Sequence, residues 1–364
     1  MGLVRLFLAL AVYFSHDPFC GVRLLPGGVA VQAFFVISGF YMALILREKY
    51  AGAPLSLFYG NRALRLAPTY FLVLACSAAA LHFLSAAPLA GPRDFGAAMS
   101  GPAWPMIAWS NLLLWGDELL FLFALDPASG TFRFAPGGDV TGAYVFLLVP
   151  QAWSLSMEMS FYLLAPFLVR MRARTLVAIV LASLALRAGL LFATPGAELL
   201  ARKIFFSEMW LFLLGMLAYE VHVANRARAA AKSLGLALFF GAMALAALFS
   251  GLPPVLKTPL WAACFALAVP HAFRLSAANR LDRFLGDLSY PFYIVHFLVI
   301  SLVSRLADEP WGGTALALSL AAAVLLHLAL ERPIDRWRQA RAARGAAEAG
   351  ASRLPDAAVS APIP

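Results

Sequence analysis

Charge is what this sequence has least of. Only 13% of its 364 residues are Asp, Glu, Lys or Arg, while 62% are apolar. A soluble domain carries about 25% charged residues, and a water-facing surface of this size cannot be built from so few ionisable groups. The deficit excludes a soluble enzyme held by a single anchor and points to a chain embedded over most of its length. Cysteine is almost as scarce. Cys20, Cys76 and Cys264 stand alone in apolar surroundings, with no CxxC pair and no zinc spacing, so they are expected to pack rather than bridge or ligate. The six histidines show no HxxxH pairing, and no metal site is expected. Nor is there a change of composition before roughly the last 30 residues. Residues 1–335 therefore read as one membrane-embedded domain, and 336–364, rich in Ala, Gly, Ser and Pro, as a disordered cytoplasmic tail.

What is present is a series of apolar runs of the length a membrane-spanning helix needs, about 20 residues. They lie near 3–20, 28–46, 66–86, 145–169, 175–194, 205–222, 234–250, 256–273, 284–306 and 313–331. The predicted fold is an all-α polytopic bundle of about ten spans with both termini cytoplasmic. With that frame, 20 of the 28 basic residues fall on the inner side, as the positive-inside rule requires. Seven fall outside (Arg23, Arg93, Arg133, Arg202, Lys203, Lys257 and Arg305), and Arg187 lies within a span. The net charge of +9 is thus accounted for by topology, without nucleic acid as a partner. The hydrophobic stretch 105–125 would invert every later loop if it crossed. It is read as an interfacial or re-entrant outer segment, with Asp117 and Glu118 at the surface. The first run ends in Ser15-His16-Asp17-Pro18 and carries no small-x-small cleavage site, so a retained helix is expected.

Ionisable side chains inside spans are costly, about 2.5–3.5 kcal/mol at a helix centre on insertion scales, and become functional suspects. Arg5 and His16 are 11 residues apart, which leaves them about 20° off the same helix face and about 16 Å apart along it. Taken singly, Arg5 reads as a snorkelling anchor and His16 as a residue at a helix end. Sharing a face makes a joint role the sharper reading. Arg62 and Arg65 form an i, i+3 pair that fits either a phosphate clamp or simple inner-side charge. Glu158, one turn after Ser154, must be paired, protonated or wetted. It could pair with an arginine, orient His16, or act on a substrate hydroxyl. Near Pro291, the residues Ser289, Tyr293 and His296 form one polar stripe, with His296 either functional or a hydrogen-bonded packing residue.

These residues carry a family resemblance. The pair Arg5/His16, the run Phe34-Phe35-Val36-Ile37-Ser38-Gly39-Phe40 and Arg62-x-x-Arg65 come first, in that order. Trp153-Ser154-Leu155-x-x-Glu158-x-x-Phe161-Tyr162 and Ser289-Tyr290-Pro291-x-Tyr293-x-x-His296 follow. Together they resemble the acyltransferase 3 family of bacterial membrane O-acyltransferases, over roughly residues 5–335. Gly2 stands where the family usually has an acidic residue.

The resemblance implies transfer of an acyl group, commonly acetyl from acetyl-CoA or another acyl-CoA, to a hydroxyl of a surface or exported carbohydrate. It also implies a multi-pass protein of the bacterial inner membrane. The family's functional pair carries over to Arg5 and His16, and its clamp to Arg62 and Arg65. On this reading Arg62, Arg65 and Arg5 hold the donor's phosphates, His16 acts as general base, and Glu158 supports it. Ser38, Trp153, Ser154, Tyr290 and His296 are expected to bind substrate. Two readings compete: a transporter or flippase of lipid-linked sugars, and an O-acyltransferase acting on a small natural product. No inverted repeat joins the halves, which weighs against many transporter folds.

Overall fold

A computed structural model describes the chain apart from residues 18–20, 23, 87–100, 127–128, 136–141, 194–197, 226–231, 249–252, 307–311 and 352–364. Cys20, Arg23, Arg93, Arg226, Arg228 and Arg353 thus lie outside the described residues. Nearly everything described is helix, as expected where no water can satisfy backbone N–H and C=O groups. The helices are α1 (Gly2–His16), α2 (Gly27–Glu48), α3 (Leu55–Leu84), α4 (Trp104–Leu113), α5 (Trp153–Leu168), α6 (Ala173–Ala193) and α7 (Glu198–Lys203). They continue with α8 (Phe205–Ala224), α9 (Lys232–Leu248), α10 (Pro254–Ser276), α11 (Arg280–Leu306), α12 (Gly312–Leu326) and α13 (Arg332–Ala351), with a π-helical turn at His327–Glu331. One antiparallel hairpin, β1 (Phe123–Asp126) and β2 (Thr131–Phe134), follows α4.

Among the described residues six helices are long and apolar enough to cross a membrane. These are Gly27–Glu48, Leu55–Leu84, Ala173–Phe192, Val255–Ser276, Arg280–Leu306 and the continuous Gly312–Arg344. The other four runs, α1, α5, α8 and α9, are helical as well. The chain is a multi-pass membrane protein of helical architecture. Helices α2 and α11 form its centre. Each is 67% buried against the rest of the chain, while α6 and the last span are only 22% buried and leave their apolar faces for lipid. Helix α1 packs between the two central helices, α2 also packs along α8, and α9 pairs with α10.

Where α2 crosses α8, glycine is required. A Cβ on Gly39 would collide with the Phe212 carbonyl, and one on Gly215 with the Val36 carbonyl and the Phe40 amide. Two backbones in contact leave nothing flexible to give way, which is the small-residue packing of membrane helices. Gly215→Val is accordingly expected to destabilise the bundle by about 3 kcal/mol or more, the upper end of overpacking penalties. A lowered thermal aggregation midpoint of the purified protein checks this. A buried ion pair, Arg187 with Glu208, joins α6 to α8, and Gln32 donates to both Glu208 oxygens at 2.9 and 3.1 Å. This network gives a structural role to Arg187, which lies within a span, and to the buried Glu208.

Four expectations are corrected. Helix α3 begins at Leu55, after the extended Pro54, so Arg62 and Arg65 lie inside the helix rather than ahead of a span starting at 66. The run 145–169 becomes α-helical only at Trp153, because Pro150 lacks an N–H and starts a short 3-10 turn instead. Asp117 and Glu118 are buried, not at the surface. Gly116, at φ +93°, turns the chain after α4 inward, and its N–H donates to Ser156 Oγ at 2.7 Å. Finally, the segment read as disordered from 336 is helical to Ala351, its Ala/Arg-rich stretch having high helix propensity. Helix α4, of 10 residues, is about 15 Å long and too short to cross.

Candidate active site

Helices α1, α2, α3, α5, α11 and α13 enclose a cavity of about 530 Å³ at the Arg5 end of α1. Six basic side chains (Arg5, Lys49, Arg62, Arg65, Arg283 and Arg338) and four acidic ones (Glu158, Asp282, Asp287 and Asp335) line it. The acids do not neutralise the bases evenly. Asp335 takes Arg338 in a close ion pair and Arg65 at 3.6 Å. Asp282 is occupied in capping α1, accepting from the Gly2 and Leu3 amides at 2.6 and 2.9 Å. No carboxylate pairs with Arg5 or Arg62 among the described residues. Arg62 instead lies over the Phe58 and Tyr162 rings, at 6.0 and 5.8 Å, and its Nε has no partner. Burying unpaired guanidinium groups is costly, so their presence in a cavity points to an anion. Paired donors in a fixed fork suit phosphate.

Deeper in the same cavity lie Ser38, Ser154 and Glu158. Glu158 Oε1 accepts from Ser38 Oγ at 2.5 Å and from Tyr162 OH at 2.6 Å. Its hydrogen bonds therefore go to α2 and to its own helix, not to His16. Ser154 Oγ and Tyr293 OH are 2.7 Å apart, and Gln151 Nε2 donates to the Ile294 carbonyl at 2.6 Å, which ties the start of α5 to the middle of α11. Tyr290 OH donates to the Leu66 carbonyl at 2.6 Å and ties α11 to α3. The ring of Phe34 lies 6.2 Å from that of Tyr293, and both line the cavity.

His16 is not in the cavity. It sits exposed at the opposite end of α1, against Phe297 at 4.5 Å and stacked on His296 at 5.9 Å. His296 is fully buried. Its Nδ1 lies 2.7 Å from the Tyr293 carbonyl, which can only accept, so the proton is on Nδ1. That leaves Nε2 as an unprotonated, unpartnered nitrogen.

The structure thus gathers Arg5, Arg62, Arg65, Ser38, Ser154, Glu158 and Tyr290 at one end, and His16 with His296 at the other. Trp153 faces this second end, where the Lys203 ammonium lies 3.0 Å from its ring centroid and 3.5 Å from that of Phe121. Asp335 and Arg338 line the cavity and Lys203 lies at the second end, and none of the three carries a site signal in the sequence. Asp335 and Arg338 fall at the expected domain boundary, and in the sequence Lys203 is one outer loop charge among seven. Among the described residues no group of three or more His, Cys, Asp or Glu side chains is placed to hold a metal ion.

Apolar helices around an interior cavity lined by six basic side chains define a membrane-embedded protein with a predominantly cationic internal site. The chain belongs to the acyltransferase 3 family: the family model, described as "Acyltransferase domain", matches residues 2–331. It is 28% identical over 338 residues to "Exopolysaccharide production protein ExoZ" of Rhizobium meliloti (strain 1021), covering 86% of this chain and 92% of that one. It is 29% identical over 352 residues to "Putative membrane-bound transacylase BcsY" of Komagataeibacter xylinus, covering 91% of this chain and 81% of that one. No solved structure matches it.

Proposed function

We propose that this acyltransferase moves an acyl group, in the first instance acetyl, from a cytoplasmic acyl-CoA to a hydroxyl of a surface or exported carbohydrate. In this reading the chain lies in a bacterial inner membrane with ten crossings and both termini inside. The observation that carries the donor assignment is the cavity with Arg5 and Arg62 unpaired. CoA is anionic at one end and bears its thioester at the tip of a long arm, which fits a cavity cationic at its mouth and lined with hydroxyls further in. The carbohydrate acceptor is supported by the relative whose name refers to exopolysaccharide production.

Arg5, Arg62 and Arg65 hold the phosphates through charge-assisted hydrogen bonds. Ser38, Ser154 and Glu158, with Phe34 and Tyr293, line the way inward from the phosphate site towards His16. His16 takes the proton of the acceptor hydroxyl as the hydroxyl oxygen attacks the thioester carbonyl. Its near-neutral intrinsic pKa suits that task. The tetrahedral adduct collapses with cleavage of the C–S bond, and the leaving thiolate receives the proton from His16. The ester product and free thiol balance the step.

Incubating the purified protein with labelled acetyl-CoA and alkali-deacetylated exopolysaccharide of the producing bacterium tests the reading. Alkali-labile label on the polysaccharide is expected, whereas a transporter leaves the acceptor unmodified. A smaller prediction concerns Tyr293 in the cavity wall. Tyr293→Phe removes the hydroxyl bound to Ser154 and Gln151, and is expected to lower turnover about 5–30-fold, the equivalent of one or two net hydrogen bonds. CoA affinity should stay unchanged, and equilibrium binding beside steady-state kinetics separates the two effects.

A further inference from the structure

Lys203 is the one described cation that the donor cavity and the ion-pair network leave unexplained within the buried part of the His16 end. It ends the short helix α7 and is only 5% exposed. No carboxylate pairs with it and no hydrogen-bond acceptor reaches it among the described residues. Two ring faces, those of Trp153 and Phe121, are its direct contacts, with Glu118 and Glu208 near enough to act on it only through their charge. Contacts of this kind contribute up to about 2 kcal/mol when desolvated, less than the several kcal/mol that burying an ion costs. Burial, with Arg202 nearby, pulls the pKa of Lys203 well down. A side chain so placed has three N–H donors and nothing to donate to.

The same layer holds the opposite deficiency. Asp117 is fully buried with both carboxylate oxygens unpartnered, and Glu118 is buried with Oε2 unpartnered, while Ser156 bonds the Glu118 carboxyl. Burial, and for Asp117 also its neighbour Glu118, raises the pKa of both acids. Their 3-10 turn packs on both α7 and α5. Unmatched donors and unmatched acceptors therefore lie in one layer, within electrostatic reach of each other but without a hydrogen bond between them. Phe121 stacks on Tyr144 at 4.7 Å and 5°. Lys203 is also within electrostatic reach of the His16 imidazole.

We propose that Lys203, Trp153 and Glu118 form the acceptor subsite, in which the indole packs against the C–H face of a sugar while Lys203 and Glu118 bond its hydroxyls. A polyhydroxyl ligand answers both deficiencies at once, because every hydroxyl both donates and accepts. An anionic ligand would satisfy Lys203 and be repelled by the two acids. The subsite lies at the His16 end of α1, so a hydroxyl held there is presented to the imidazole from the side opposite the donor cavity. Lys203 acts as a positioning residue, since it binds the acceptor away from the reacting atoms.

This inference rests on the carbohydrate reading above, and one experiment tells their failures apart. Initial rates are measured for the full-length protein in nanodiscs, with labelled acetyl-CoA fixed at saturation and alkali-deacetylated exopolysaccharide varied. Lys203→Met and Trp153→Leu are expected to raise the KM for polysaccharide at least tenfold, with the Kd for CoA held within twofold of wild type. Lys203→Arg should recover part of the loss, because it restores a donor over the rings. An unchanged polysaccharide KM in Lys203→Met overturns the subsite. So does a parallel fall in CoA affinity, which would mark Lys203 as structural only. If the wild-type protein itself leaves the polysaccharide unlabelled, the carbohydrate reading fails, and the subsite with it.

Discussion

Replacing His16 by Ala is expected to lower acyl transfer roughly a thousandfold, within the usual range for losing a general base, while the protein still inserts and still binds CoA. The expectation follows from where the side chain sits. His16 is exposed at the end of α1 and touches Phe297 and His296, so its removal deletes few packing contacts. It also lies beyond the cavity that Arg5, Arg62 and Arg65 line, so donor affinity should not move. His296 cannot substitute for it. Its ring is fully enclosed and anchored to the Tyr293 carbonyl, which leaves no path for an acceptor hydroxyl to reach it. Rates measured at saturating CoA, with CoA binding measured in parallel, test both halves. Full activity in the variant would remove His16 from the chemistry.

Converting both Arg62 and Arg65 to Ala should weaken CoA binding by about 10²–10⁴-fold, taking about 1.5–3 kcal/mol for each charge-assisted hydrogen-bonding group. The two are not equivalent. Arg65 already shares Asp335, whereas Arg62 has aromatic faces and no carboxylate. Arg62 is therefore expected to contribute the larger part. Because the two side chains serve one ligand, the double variant should lose less than the sum of the singles. Isothermal titration with CoA and with dephospho-CoA checks this. Affinities equal to wild type would reduce the pair to inner-side charges that set topology.

Much of this arrangement was legible in the sequence, for an identifiable reason. A helix has a fixed rise and pitch, so the 11-residue interval between Arg5 and His16 defines both a shared face and a separation. Charge scarcity forces the chain into lipid, and lipid forces it into helix. The apolar runs therefore mark the helices, with errors only where local chemistry intervenes. Pro150 delays α5, and Leu55–Leu66 extends α3 because nothing in it stops a helix. Glu158 shows the limit. Its position inside a span was evident, but its partners Ser38, 120 residues away, and Tyr162 were not. Lys203 shows it again. As a residue in a list of loop charges it carries no signal, and its meaning comes from Phe121 and Trp153, brought to it by folding. Asp335 and Arg338 were set aside because the apolar pattern stops before them, although the helix that holds them turns back onto the cavity.

The length of α1 gives the account its physical centre. At 15 residues the helix is about 22 Å long, against about 30 Å for a hydrocarbon core. The two ends of the proposed reaction path are therefore closer together than two membrane surfaces. An acyl group carried on a flexible arm has only that distance to cover, and the bulky anionic part of its carrier never needs to leave the mouth of the cavity.

Sealed inside-out membrane vesicles that enclose alkali-deacetylated exopolysaccharide test this account most directly. Labelled acetyl-CoA is added outside, at the face that was cytoplasmic, and esters on the enclosed polysaccharide are counted. The account predicts ester label on the enclosed polysaccharide with wild-type protein and none above background with His16→Ala. Label that enters the vesicles unattached to polysaccharide, or transfer that requires donor and acceptor on the same face, would contradict it.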